Sequence, residues 1–400
     1  MIKNIKEVPD DFKGMAVTPK GQYKEDWIFS GCEGILEEGI KNKSRGGEKM
    51  KGQYVSLVQL AEQIEEMEKE KQDFIAPTDK MRMIDDSVIA IEGVGKGYDI
   101  NSYAHGQLAS KLGIPKVYYD KMAKVPGLRT MNVNAWFHEE PKKMLVRMLS
   151  GNTARAFLSD RFKPIDNKLV MGALLPAIKE FNGGGEIQMN SSAITDRRFY
   201  LQLLFPTLKE EVKPNDPVCA GITIVNSEVG CSSFDVKTFI QVLKCSNGMV
   251  GESVFRRYHI GRRLGDDVMD YDFYGSDTIQ AELTSLKLRL RDTLKHALTE
   301  AHFLEQVQKI RDADKTPIEG KVQDVVLNVT KKYDFSEKEG QLILDNIVKS
   351  GEPTKWGLSN GITALAHEIE DYDRQYEVEK IGAKIIDLSP KDWQVLQEAS

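Results

Sequence analysis

Four arginines, one histidine and two aromatic residues fall within nine positions in Phe255-Arg256-Arg257-Tyr258-His259-Ile260-Gly261-Arg262-Arg263. A guanidinium fork matches a pair of phosphate oxygens, and an aromatic ring stacks on an unpaired base. As a strand, the run puts Arg256, Tyr258 and Ile260 on one face and Arg257 and His259 on the other. It suits contact with single-stranded nucleic acid. An edge strand whose arginines pair with the aspartates at 266 to 272 has the same pattern, so both readings stand. A second basic set is Arg147, Arg155, Arg161, Lys163 and Lys168, with Arg197-Arg198 further on. Here Leu158 to Asn167 reads as a strand end, a loop and a helix start. A helix N-terminus beside arginines can hold a phosphate. Equally, Asp160 and Arg161 can fix the loop through local hydrogen bonds.

Two small polar loops end predicted strands, Asn226-Ser227-Glu228-Val229-Gly230 and Cys245-Ser246-Asn247-Gly248-Met249. Sites often sit in such loops. Asp160, Asn226, Glu228 and Asn247 form the candidate pocket set. Glu228 has the chemistry of a general base, but no nucleophile is identifiable beside it. A metal-dependent enzyme acting on nucleic acid or nucleotides would draw on Asp160, Glu228 and His259. Other chemistry finds no motif. Gly93-Val94-Gly95-Lys96-Gly97-Tyr98 lacks the spacing and the Ser or Thr of a phosphate loop and reads as a hairpin loop. No dinucleotide fingerprint, H-E-x-x-H or G-x-S-x-G occurs, and the six histidines are isolated. The acidic run Asp266, Asp267, Asp270, Asp272 and Asp277 reads as a solvated linker rather than a magnesium site. The expectation is therefore no catalytic residue, no metal and no cofactor.

The charge balance refines this picture. The net charge is −6. Between Lys142 and Arg263, however, 18 basic residues face 11 acidic ones, a net of +7, leaving −13 for the remainder. A basic middle between acidic ends suggests a surface that meets an anion, unless the charges are spread over all faces. Cysteines at 32, 219, 231 and 245 are scattered, without zinc-ligand spacing, and read as reduced thiols. No apolar run approaches the roughly 18 residues that span a bilayer. The charged start, Met1 to Gly14, has no signal-peptide core. Cytoplasmic localisation is the expectation.

The elements that must position these residues follow from patterning. At about 150 residues per domain, 400 residues suggest two or three domains. The first 75 residues read as an irregular Gly-rich arm followed by a helix capped by Ser56. Residues 76–141 read as a small α/β unit. Residues 142–264 read as a basic α+β core with strands at 144–149, 155–158, 186–195, 199–205, 218–225, 237–244 and 255–260. A polar loop is predicted from Lys209 to Pro217. Residues 265–400 read as helical. Ile279, Leu283, Leu286, Leu290, Leu294 and Leu298 predict one long helix to about Arg311. Ser336 with Glu339 predicts a capping box. The fold class expected is α+β, an antiparallel-sheet middle with packed helices and an all-helical C-terminal region.

A family resemblance adds an origin. Leu112-Gly113-Ile114-Pro115 with Tyr118-Tyr119, Leu158 to Phe162, Asn226 to Gly230, Cys245 to Met249 and Tyr258 to Arg262 occur in this order. Together they resemble the phage/plasmid-like protein family found in phages, prophages and mobile elements. Trp356 to Asn360 and Asp371 to Arg374 look like its C-terminal helical part. The resemblance covers roughly residues 80 to 390 and implies an origin near phage replication and recombination functions. It carries over no catalytic residues. The leading expectation is a non-catalytic, phage-derived protein that binds single-stranded DNA in the bacterial cytoplasm, as an annealing or recombination accessory. A homo-oligomer and contacts with phage or host replication proteins fit that expectation. The alternatives are a structural or anti-host protein-interaction factor, with its surface on the acidic helices after Ser276, and the enzyme described above.

Overall fold

Strand Gln72–Pro77 begins one residue after the first helix and runs antiparallel to a strand some seventy residues later. That pairing sets the plan of the N-terminal half. The computed structural model describes residues 40–42, 56–149, 152–182, 186–259 and 276–398. Within them, β1 (Ile40–Asn42) precedes α1 (Leu57–Glu70), whose Ser56 side chain accepts a hydrogen bond from Gln59 N. Then come β2 (Gln72–Pro77), β3 (Met81–Asp85), β4 (Val88–Ile91) and β5 (Gly97–Ile100). Three helices follow, α2 (Ser102–Lys111), α3 (Lys116–Met122) and α4 (Leu128–Glu139), before β6 (Lys143–Leu149) and β7 (Thr153–Ser159). The sheet order is β2-β6-β7-β5-β4-β3, antiparallel except for the β5–β7 pair. Alternation along β6 sends Met144, Val146 and Met148 toward α2 to α4, while Leu145 faces the other way. The stretch from Gly93 to Gly97 is the connection between β4 and β5, as its turn composition predicts, with Gly93 and Gly95 at positive φ.

After α5 (Asn167–Asn182), the strands β8 (Ile187–Ile194), β9 (Phe199–Glu211), β10 (Pro217–Asn226), β11 (Phe234–Val242) and β12 (Gly248–Arg257) form an antiparallel meander. β1 adds to its edge, parallel to β8. One face of this sheet packs Leu201, Leu203, Ile222 and Ile224 against α1, α5 and α6 (Ser276–Ala297). The other face receives the helical region. Phe303 and Val307 of α7 (Glu300–Asp314) and Trp356 of α10 (Lys355–Ala364) pack on Val218, Ile240 and Met249. Tyr372 and Tyr376 of α11 (Tyr372–Ile386) pack on Tyr200, Leu204 and Phe239. α8 (Val322–Lys332), α9 (Glu337–Ser350) and α12 (Pro390–Glu398) complete a helical core of their own. The class is thus α+β, with antiparallel sheet in the middle and an all-helical C-terminal region.

Several expectations need correction. The boundary expected near residue 142 cuts through the first sheet, because β6 and β7 pair with β2 and β5 rather than with the meander. The long helix expected to Arg311 is two. The Thr299 side chain caps α7 by accepting from His302 N, and α6 ends at Ala297. The polar loop expected from Lys209 starts as strand, since β9 continues to Glu211 opposite Pro217. The apolar stripe of α6 is turned inward, with Leu286, Leu290 and Leu294 buried. Residues 1–39 and the Asp266–Asp272 run lie outside the described residues.

The meander tolerates little change where it bulges. Register shifts between Cys219 and Gly221, and a Cβ on Gly221 would collide with the Leu203 carbonyl oxygen of the neighbouring strand. Gly221→Ala is expected to lower the unfolding free energy by about 1–3 kcal/mol, the usual cost of overpacking. Urea denaturation reads it, and a loss below about 0.5 kcal/mol would mean that β9 gives way there.

Candidate nucleic-acid interface

The two basic sets occupy different environments. Arg147 is completely buried. It stands directly opposite Asp73 in the β2–β6 pairing, and its Nε donates to Asp73 Oδ1 at 3.0 Å. Its Nη2 donates to Asp166 Oδ1 at 2.8 Å, just ahead of α5, and its Nη1 to the Glu228 carbonyl at 2.8 Å. Register between β6 and β7 shifts here: Arg147 pairs with Ala156 while Met148 pairs with Ala154. Arg155 is the extra residue. Such a bulge re-aims a side chain, and Arg155 Nη2 meets Glu228 Oε2 at 2.8 Å. The other oxygen of Glu228 accepts from Asn167 N at 2.7 Å, so this carboxylate satisfies a donor at the start of α5. Lys71 completes the cluster by bridging Asp166 and Glu68.

These contacts fix the charge states. Burial opposes the charge on Asp166, but the Arg147 guanidinium and the Lys71 ammonium overcome it and hold its carboxyl well below the usual range. Burial and the negative charge of Asp166 push Glu68 up. Three cations thus meet four carboxylates out of water. No charge is left over for a phosphate. Arg147 and Arg155, expected to bind nucleic acid, instead join the two sheets.

His259 belongs to the same junction. Ile165 N donates to its Nδ1 at 3.1 Å, which leaves the proton on Nε2, and Phe162 stacks on its ring at 5.0 Å. Burial, the largest influence, pushes its pKa down to about 4. Asn226 Nδ2 donates to the Ile165 carbonyl and to Asn167 Oδ1. Asn226, Glu228 and His259 therefore do converge, but on the start of α5 and not on an open pocket. Asn247 lies elsewhere, between the Asn360 carbonyl and His367. Asp160 is half-buried in the loop after β7. Among the described residues no group of three or more His, Cys, Asp or Glu side chains could hold a metal ion. Cys219, Cys231 and Cys245 are free thiols.

The surface residues are a shorter set. Arg256 and Tyr258 share one side of the chain, and the Tyr258 ring is 62% exposed. The Arg256 side chain is 44% exposed while forking onto Asp235. Arg257 and Lys163 point the other way and share Glu282 of α6, at 3.6 and 3.1 Å. Lys163 N donates to the His259 carbonyl, so the loop carrying exposed Arg161 runs alongside Tyr258. Arg262 and Arg263 lie outside the described residues. Sequence reading missed Lys71 and Asp73. Their signal was present only as a charged pair flanking Gln72, with no clue to the strand they would face.

The buried cluster makes two predictions. Arg147→Met leaves Asp73 and Asp166 uncompensated and is expected to cost about 3–5 kcal/mol in urea unfolding; a cost under about 1 kcal/mol would contradict this account. His259 titrates near its ordinary value of about 6.5 when unfolded. Between about 6.5 and about 4 only the unfolded chain binds the proton, so the contribution of His259 is complete above that window and is lost as pH falls through it. His105, also pushed down to about 4 by burial, adds in the same direction. The unfolding midpoint should drop across this window, and less steeply in His259→Gln. Equal slopes would show that His259 is not buried neutral.

No family model, curated protein or solved structure matches the chain.

Proposed function

We propose that the protein binds single-stranded DNA, without catalysis, on the surface formed by Arg161, Arg256 and Tyr258. The observation that carries this reading is the exposed Tyr258 side chain, two residues from Arg256 and on a segment that pairs with the loop carrying exposed Arg161. Water-exposed aromatic rings cost hydration unless something covers them, and every unpaired base offers a π-face. In this reading Arg161 and Arg256 contact phosphates and Tyr258 stacks on a base. The reading needs no catalytic constellation. A strand-binding accessory in phage DNA metabolism is the setting that the sequence motifs suggest. The protein-partner alternative loses its main support, because the α6 stripe is buried.

Fluorescence anisotropy with a labelled oligonucleotide and a duplex of equal length tests this. The single strand should bind more tightly, since duplex bases are already stacked. With about two phosphates neutralised by the two arginines, raising salt from about 50 to 200 mM should weaken binding by about seven-fold. Tyr258→Ala should remove about 1–3 kcal/mol of affinity with the salt dependence unchanged. Arg161→Gln should reduce the magnitude of the log–log salt slope by about 0.7. Salt-independent binding, or equal affinity for strand and duplex, would overturn the proposal.

A further inference from the structure

Behind Arg256, α11 and the strands β11 and β12 leave an open cleft of about 200 Å³. Four cations line it, Arg198, Lys237, Arg256 and Lys380, against two carboxylates, Asp235 and Glu377. The cations come from the turn before β9, from β11, from β12 and from α11. No two of them are sequence neighbours, so the shared lining is a product of the fold.

The cleft is short of negative charge. Asp235 is oversubscribed: Arg256 donates to one of its oxygens through Nε and Nη2 at 3.0 and 2.9 Å, Ser253 Oγ bonds to the other, and Lys237 stands at 3.4 Å. Burial pushes the Lys237 ammonium below its ordinary range, and Arg256 and Lys380 push in the same direction. Arg198 is held by Asp373 at 3.0 Å and Lys380 by Glu377 at 2.8 Å. The hydroxyl of Ser232, also on the lining, is buried with no hydrogen-bond partner among the described residues. A buried donor without an acceptor beside an under-compensated ammonium is the arrangement an incoming oxyanion would complete.

We propose that this cleft binds the doubly charged phosphate of a phosphomonoester. With Asp373, which holds Arg198, counted beside Asp235 and Glu377, the four cations keep a formal excess of one positive charge, which attracts a phosphate of about −1.5 to −2 at neutral pH. The volume lies below the roughly 300–1,000 Å³ of pockets that enclose drug-sized ligands. It therefore takes the phosphate and little of what the phosphate is attached to. Lys237 and Lys380 supply point charges and Ser232 Oγ donates to a phosphate oxygen. The phosphate belongs either to a free small ester or to the 5′ end of a strand. This inference goes beyond the strand-binding reading and shares only Arg256 with it.

Calorimetric titration with inorganic phosphate and with thymidine 5′-monophosphate, at constant ionic strength, is the test, with thymidine as control. Both phosphates should bind saturably and thymidine should not. Lys237→Met keeps the length of the side chain and removes the charge, and it should weaken phosphate binding at least tenfold. Ser232→Ala deletes one oxygen and should weaken it severalfold, which keeps the test decisive if the lysine variant fails to fold. A 5′-phosphorylated oligonucleotide binding more tightly than its 5′-hydroxyl counterpart, with the difference erased by Lys237→Met, assigns the strand end as the source. Equal affinity of the two assigns the free ester. Absence of saturable phosphate binding, or binding undiminished in both variants, overturns the inference. That result stands apart from the strand-binding reading, which the 5′-hydroxyl oligonucleotide tests alone through Tyr258.

Discussion

A guanidinium taken wholly out of water must have its charge matched and its donors used, or the surrounding fold cannot form. Arg147 meets both demands by drawing on three segments far apart in sequence: Asp73 from β2, Asp166 ahead of α5, and the backbone of Glu228 after β10. The two sheets can meet there in one way only, because any other approach strands a buried charge. Arg155 reinforces that choice. It reaches the junction only because β7 carries one residue more than β6 at that point. Around these polar contacts Leu145, Ala156, Leu158 and Val229 supply the apolar part of the contact. Gly230, at φ 73°, lets the loop come close enough to Leu158 to close it.

The same chemistry, a few residues along the β10–β11 connection, has the opposite consequence. At the junction carboxylates outnumber cations, and both guanidiniums are ion-paired internally. Along β11, β12 and α11 the cations outnumber the carboxylates, and Asp235 is divided among several partners. Strand alternation produces this division. Arg256 and Tyr258 turn toward solvent, while Arg257 is drawn toward Glu282 of α6 and His259 into the junction.

What the sequence made legible was what local physics decides. Ser56 and the Ser336–Glu339 box cap helices because capping needs only three or four consecutive residues. The alternation of the 255–259 run was likewise readable. What escaped depends on partners far along the chain. β2 was hidden because it begins one residue after a helix and its partner strand lies some seventy residues away. The break between α6 and α7 was hidden because Leu290, Leu294 and Leu298 keep helical spacing right up to it. Of the candidate site, Arg256 and Tyr258 were recognisable and reach the surface. Lys237 and Lys380 were not singled out, since nothing near either lysine in sequence marks it as facing a cleft.

The basic middle itself turns out to be matched chiefly from outside. Arg147 pairs with Asp73, Lys163 and Arg257 with Glu282, Lys168 with Glu65, Arg198 with Asp373, and Lys213 with Asp314 and Glu352. Six cations of the middle thus find carboxylates in the acidic segments on either side of it. A charge asymmetry along a chain is ordinarily taken as a footprint for an anionic partner. Here much of it is the complementarity by which the ends fold onto the middle. An external anion is left with the cations not matched in this way. Arg256 and Lys237 are two of them, sharing Asp235 within the middle, and they lie where the Tyr258 segment meets the cleft.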